Sequence, residues 1–261
     1  MNSIQSFSEK GQQPSTTSSD MGINKDSINV AYSQTQVHTP NKAVLERNRI
    51  ISAFLPNKWL ESYRMLRTRC LQSMDAMDWK TLAITSTNSQ SGNSLTAANL
   101  AISIAMELDR TALLVDANFQ SPAINRLFGI QSDKGLSDYL LHDAEISSML
   151  INPGIDRLVI LPAGKPLFNS TEMLHSPKMV RLVNELKSRY PSRIIIFDMP
   201  PILLHDDALG FSPYVDCVLL VVEEGLTKTG ELAHAAELLK DTNVLGSVFN
   251  KATDKKIRFS K

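Results

Sequence analysis

Cysteine is scarce in this chain. Cys70 and Cys217 are the 2 cysteines in 261 residues, and they form neither a CxxC pair nor a zinc-ligand spacing. That removes a cysteine-based metal site, and two isolated thiols fit a reducing compartment. Cys217 lies in an apolar run and reads as a small core residue rather than a reactive thiol. An excess of charge is also missing. Lys+Arg and Asp+Glu both number 27, so the formal net charge is zero and bulk electrostatic capture of nucleic acid is not expected. No run reaches the ~20 apolar residues of a membrane span, and the N-terminus has no apolar signal core. The expectation is a cytoplasmic protein with one α/β domain and a tail.

Residues 1–42 are rich in Ser, Thr, Gln and Asn and carry no sustained periodicity. Such a stretch buries too little surface to offset its ordering entropy and reads as a disordered tail. A folded domain is expected over 43–253, with a short basic tail at 254–261. Helical spacing runs from Ala43 to Met77, first through Ile50, Ile51, Phe54 and Leu55 up to Pro56. It then continues through Trp59, Leu60, Tyr63, Leu66 and Leu71. Apolar strands are predicted at Leu82–Ile84, Arg110–Asp116, Leu158–Pro162, Arg193–Asp198, Cys217–Val222 and Val244–Asn250. Helices are predicted from Ser94, from Pro122 to Phe128, over Gly135–Leu141, over Glu172–Tyr190, and around Leu232, Ala235, Ala236 and Leu239. Near-continuously apolar strands alternating with helices predict an α/β fold, a mostly parallel sheet covered by helices on both faces. Ligands of such folds sit at the carboxyl ends of the strands, where Asp116, Asp198, Asn250 and the Ser94 loop collect.

The organising stretch is Thr81 to Met106, a buried strand, a tight polar loop and a helix start. A helix start presents unpaired N–H groups and the positive end of the dipole to an anion. The loop reads Thr87-Asn88-Ser89-Gln90-Ser91-Gly92-Asn93-Ser94. An intact phosphate loop, G-x-x-x-x-G-K-[ST], has a lysine where Asn93 stands; Gly92 and Ser94 fit. Backbone N–H groups from Ser91 through Gly92, Asn93 and Ser94 to Leu95 are candidates to cradle an anion. Ser94, Asp116 and Asp198 are candidates to hold Mg²⁺.

With these residues in view, the chain resembles the cytoplasmic domain of the bacterial tyrosine kinases (BY-kinases), within the ParA/MinD-like division of P-loop proteins. Glu61, Arg64 and Arg67 resemble the family's ExxRxxR motif, which implies a subunit contact. Ala97-Ala-Asn-Leu-Ala101 matches its AANLA helix, and Leu113-Leu-Val-Asp116-Ala resembles its second Walker motif. Leu161-Pro-Ala-Gly164, with Asn169 and Glu172-Met-Leu174, resembles its LPAG…NPxELL segment. Ile196-Phe-Asp198-Met-Pro200-Pro201 resembles its Walker B, and Asp207-Ala208 the DA that follows. Val244-Leu-Gly246 and Asn250 resemble its closing strand, whose asparagine lies near adenine.

The resemblance implies a P-loop NTPase-like fold binding ATP or ADP with Mg²⁺, with Asp116 and Asp198 as the catalytic carboxylates. It implies a role in exopolysaccharide or capsule biosynthesis and export. The implied partners are BY-kinase-like subunits, in a homo- or hetero-oligomer, and a membrane polysaccharide chain-length regulator. The implied location is the cytoplasm, or the inner-membrane surface through a partner. The departures concentrate on chemistry. Asn93 replaces the lysine, Gln90 a loop glycine and Asn118 the second aspartate of hhhDxD. The closing Lys255-Lys256-Ile-Arg-Phe-Ser-Lys261 has no tyrosine cluster. A catalytically impaired regulatory or assembly partner is therefore expected. The alternative is an active tyrosine kinase or ParA-like ATPase using a substitute cation, with Lys165, Lys228 or another subunit's arginine as candidates.

Overall fold

The computed structural model describes residues 35–51 and 59–252. Phe54, Leu55 and Pro56, the tail up to residue 34 and the basic segment 254–261 lie outside the described residues. One eight-stranded sheet organises the rest, in the order β1-β4-β5-β3-β6-β2-β7-β8. The strands are β1 (Gln36–Val37), β2 (Thr81–Ser86), β3 (Thr111–Asp116), β4 (Ile151–Asn152), β5 (Leu158–Leu161), β6 (Arg193–Asp198), β7 (Cys217–Glu223) and β8 (Val244–Asn250). All pairings are parallel except β4 with β5.

Side chains alternate between two apolar layers, as the two-residue period of a strand requires. Leu113, Val115, Ile195 and Phe197 enter one layer. It is completed by α5 (Leu136–His142), α6 (Ser170–Leu174), α7 (Pro177–Arg189), α8 (Asp207–Phe211) and α9 (Thr229–Leu238). Ala112, Leu114, Ile194 and Ile196 enter the other, against α1 (Lys42–Arg47), α2 (Leu60–Ala76), α3 (Asn93–Ala105) and α4 (Ile124–Phe128). Both thiols are buried, and burial pushes Cys70 and Cys217 up to about 12, as an inert core cysteine requires.

Helix α3 is buried almost all round, so its polar residues need partners inside the protein. Asn99, the asparagine of the AANLA run, accepts from Ile51 N–H at 2.9 Å and donates to the Arg49 carbonyl at 3.0 Å. Ser103 donates to the Tyr63 carbonyl at 3.2 Å. A motif residue thus fastens the chain before α2 onto the loop helix.

Four expectations are corrected. Residues 36 and 37, placed in the disordered tail, form a strand: Gln36 N–H reaches the Leu150 carbonyl and His38 N–H the Asn152 carbonyl. Backbone pairing at a sheet edge needs no apolar side chains, so composition carries no sign of it. The helix predicted through Ile50 and Ile51 ends at Arg47; both isoleucines are buried in irregular chain. The single helix predicted over Glu172–Tyr190 is two, because Ser176 caps a new start with Pro177 in its first turn. Pro122 precedes α4 rather than opening it.

The amino ends of β2 and β7 are tied through Asp216. Its carboxylate accepts from Lys80 N–H, Thr81 N–H and the Thr81 hydroxyl, each at 2.8 Å, and pairs with Lys187 at 2.5 Å. Burial opposes its ionisation, but Lys187 and these donors outweigh burial and hold the carboxyl below its usual range. A depressed folded pKa stabilises above the unfolded value and ceases to as pH falls through the folded one. Asp216→Asn is expected to lower the unfolding free energy by about 1–3 kcal/mol at neutral pH. The gap from wild type should close in acid, as read by urea denaturation at both pH values.

Candidate functional site

The carboxyl ends of β2, β3, β6 and β8 meet where the sequence places the site. Asp116 and Asp198 are register partners that end β3 and β6 side by side, and both are buried. Helix α3 starts from Gly92, whose φ of +92° suits a residue without Cβ. Thr96 N–H is the first to bond back, to the Gly92 carbonyl at 2.9 Å. The N–H groups of Asn93, Ser94 and Leu95 therefore have no partner in the preceding turn, an arrangement that suits an anion.

Asn93 does not project into that opening. Its amide donates to Asp198 Oδ1 at 3.1 Å and to the Met199 carbonyl at 2.7 Å, while its Oδ1 accepts from the Ser86 hydroxyl at 3.4 Å. The side chain that stands in the lysine's place is turned onto the end of β6 and buried. Asp198 Oδ2 is buried without a hydrogen-bond partner among the described residues. Burial and the Asp116 carboxylate raise the Asp198 pKa well above the usual range, with Ser94 and Asn93 pulling it back.

Asp116 has a different occupation. Its Oδ1 accepts from Asn118 N–H at 3.2 Å and its Oδ2 from Ala123 and Ile124 N–H, both at 3.0 Å. Burial still pushes it up to about 6, against those three donors. It acts as a tether for the chain leading into α4. Asn118, in the position of the missing second aspartate, accepts from Ser121 N–H at 3.1 Å and supports the same turn.

A cation and a phosphate fit parts of this arrangement. Ser94 and the unpartnered Asp198 Oδ2 would hold Mg²⁺, and the N–H groups that open α3 would receive a phosphate. The donor set lacks a positive side chain at position 93 and leaves Asp116 little spare capacity. Among the described residues no three His, Cys, Asp or Glu side chains cluster as a metal site of their own.

The remaining predicted residues separate. Asn250 Nδ2 donates to the Ser91 carbonyl at 2.7 Å, so the end of β8 clasps the loop. Glu61 and Arg64 are exposed (side chains 80% and 52%) and lie 3.8 Å apart. Arg67 turns inward, 15% exposed, paired with Glu107 at 2.6 Å and donating to the Ser103 carbonyl at 3.0 Å. Steps of three residues rotate a helix by less than a full turn, so the third member of the triplet leaves the exposed face. Lys228 adjoins the loop through Glu231, which accepts from Lys228 N–H at 2.9 Å and from Asn88 Nδ2 at 3.0 Å. Lys165 is exposed, its N–H on the Ser137 hydroxyl at 2.9 Å beside α5.

Sequence reasoning missed Ser86, Asn88, Met199 and Glu231. Their roles run through backbone carbonyls or loop contacts between distant elements, which no local spacing encodes. Asp207 did carry a sign, in the Asp207-Ala208 pair. It is buried, accepts from the Thr171 hydroxyl at 3.1 Å and leaves Oδ2 unpaired.

No family model matches the chain. The tyrosine-protein kinase YwqD of Bacillus subtilis is 31% identical over 192 residues, 73% of this chain and 80% of that protein. The chain belongs to the bacterial tyrosine kinase family. The succinoglycan biosynthesis transport protein ExoP of Rhizobium meliloti is 29% identical over 210 residues, which is 78% of this chain and 26% of ExoP. Among solved structures, the chimerical protein CapA2B2 superposes with a TM-score of 0.71 at 25% identity, covering 83% of this chain and 93% of that one. The P-loop fold of the BY-kinases is therefore present. Among the described residues no helix is long and apolar enough to cross a membrane.

The clasp at Gly92 yields a test. A Cβ there would lie 2.2 Å from Asn250 Nδ2, on a backbone that L side chains rarely adopt. Gly92→Ala is expected to cost about 1–3 kcal/mol of stability. Asn250→Ala in the same chain should relieve the collision and recover part of that loss, but not the strain in φ. A urea double-mutant cycle reads the coupling.

Proposed function

We propose that this chain is a catalytically impaired BY-kinase-like protein that acts as a regulatory or assembly partner in exopolysaccharide or capsule biosynthesis and export. The observation that carries the reading is the Asn93 amide, neutral and bonded to Asp198 and the Met199 carbonyl. Phosphoryl transfer depends on positive charge set against the β- and γ-phosphates, and an amide occupied with β6 supplies none. The asparagine at position 118 points the same way. The polysaccharide setting draws support from ExoP, named for succinoglycan biosynthesis and transport.

In this reading ATP or ADP and Mg²⁺ remain the family ligands, with Ser91 to Leu95, Asn250, Asp116 and Asp198 around them. Binding is weakened because the loop has lost its lysine. Glu61 and Arg64 offer exposed charge to BY-kinase-like subunits, while Arg67 braces α2 against α3. A membrane chain-length regulator is the proposed partner that brings the chain to the inner-membrane surface. The second reading is an active ATP-dependent tyrosine kinase or ATPase. It draws support from Lys228, whose place beside Asn88 and Glu231 is close to the loop.

Calorimetric titration with Mg-ATP and Mg-ADP tests the reading, on wild type and on Asn93→Lys. The expected result is weak or absent binding to wild type and a gain on Asn93→Lys of at least about tenfold, or 1.4 kcal/mol. Tight binding to wild type that is lost in Lys228→Ala would favour the second reading instead.

A further inference from the structure

Strand β8 closes the sheet on the side opposite β1, and among the described residues no strand pairs with its outer edge. Exposed edges are normally blunted by short length, lysine, proline or an inward charge. This one is 7 residues long, and Val244-Leu-Gly-Ser-Val-Phe-Asn250 contains no charged residue and no proline. Its phenylalanine, Phe249, is 62% exposed, and Val244 is 46% exposed.

The ladder shows which backbone groups are open. Glu224 N–H donates to the Asn250 carbonyl at 3.0 Å, so Asn250 faces β7. Past the register shift between Val218 and Leu219 the pairing is regular, and alternation directs Val248 and Gly246 to β7 as well. Ser247 and Phe249 therefore turn their N–H and C=O groups outward.

We infer that the open edge of β8 is a docking surface for a second copy of this chain, paired antiparallel about a two-fold axis at Val248. That register sets Ser247 of each copy against Phe249 of the other, and each such pair exchanges both backbone hydrogen bonds. The exposed phenyl ring then lies over a serine, where there is room for it. An isologous contact must be self-complementary. A strand without charge meets that condition, because the two-fold sets no like charges opposite each other. The surface is separate from the Glu61 and Arg64 face of α2.

The test is sedimentation velocity on the full chain from low to high micromolar, with three variants. Ser247→Pro removes an outward N–H and leaves the β7–β8 ladder intact. Phe249→Lys brings an ammonium group onto the edge of each copy. Val248→Cys places a thiol on the two-fold axis, where its own copy is the nearest partner. The expected result is a concentration-dependent dimer in wild type that is lost in Ser247→Pro and Phe249→Lys. Val248→Cys should form a disulfide-linked dimer under mild oxidation; the wild type should not, since Cys70 and Cys217 are buried. A chain that stays monomeric throughout, with no cross-link in Val248→Cys, would overturn the inference. So would a dimer that persists unchanged in both edge variants.

Discussion

Two carboxylates buried side by side at the ends of adjacent strands dominate the local energetics. Asp116 and Asp198 lie in register on β3 and β6, away from water. Two negative charges so placed raise each other's proton affinity, and only donors brought by the surrounding chain offset that. The protein meets the demand unequally. Asp116 receives three backbone N–H groups from the turn into α4. Asp198 is met by side chains alone, the Asn93 amide and Ser94, and its Oδ2 has no hydrogen-bond partner of good geometry among the described residues. The side chain at position 93 points at β6 and supplies one of its donors.

The rest of the site is arranged around this inward turn. With Asn93 directed at Asp198 and Met199, the loop before α3 is held from three sides. Ser86 reaches the Asn88 carbonyl at 2.9 Å, Asn250 reaches the Ser91 carbonyl, and Glu231 takes the Asn88 amide. A loop restrained in this way keeps N–H groups open at the start of α3 and carries no cationic side chain at position 93. The scaffold itself draws on hydrogen bonds that Asn93 makes, to Asp198 and to the Met199 carbonyl.

Much of the architecture was legible in the sequence. The six predicted apolar strands are all present, and the helix after the loop begins one residue before Ser94. Continuous apolar runs flanked by helices leave few alternatives to a parallel sheet. The meeting of Asp116, Asp198, Asn250 and the loop followed from the strand ends alone. What escaped was set by tertiary pairing. Edge strand β1 and its neighbour β4 are 2 residues each and carry no periodicity. Arg67 followed the spacing of Glu61 and Arg64, yet its partner Glu107 comes from the end of another helix. The bond from Asn93 to the Met199 carbonyl involves a backbone oxygen 106 residues away, which no motif records. The break at Ser176-Pro177 was readable and was overridden by the apolar stripe on both sides of it.

Steady-state ATP turnover, measured side by side in wild type, Asn93→Lys and Asp198→Ala, tests the central claim most directly. The claim is that a neutral amide at position 93, turned onto β6, leaves the loop without the charge that phosphoryl transfer needs. The account predicts wild-type turnover no faster than buffer containing Mg-ATP alone, with measurable turnover appearing only in Asn93→Lys. Wild-type turnover above that background that disappears in Asp198→Ala would contradict it.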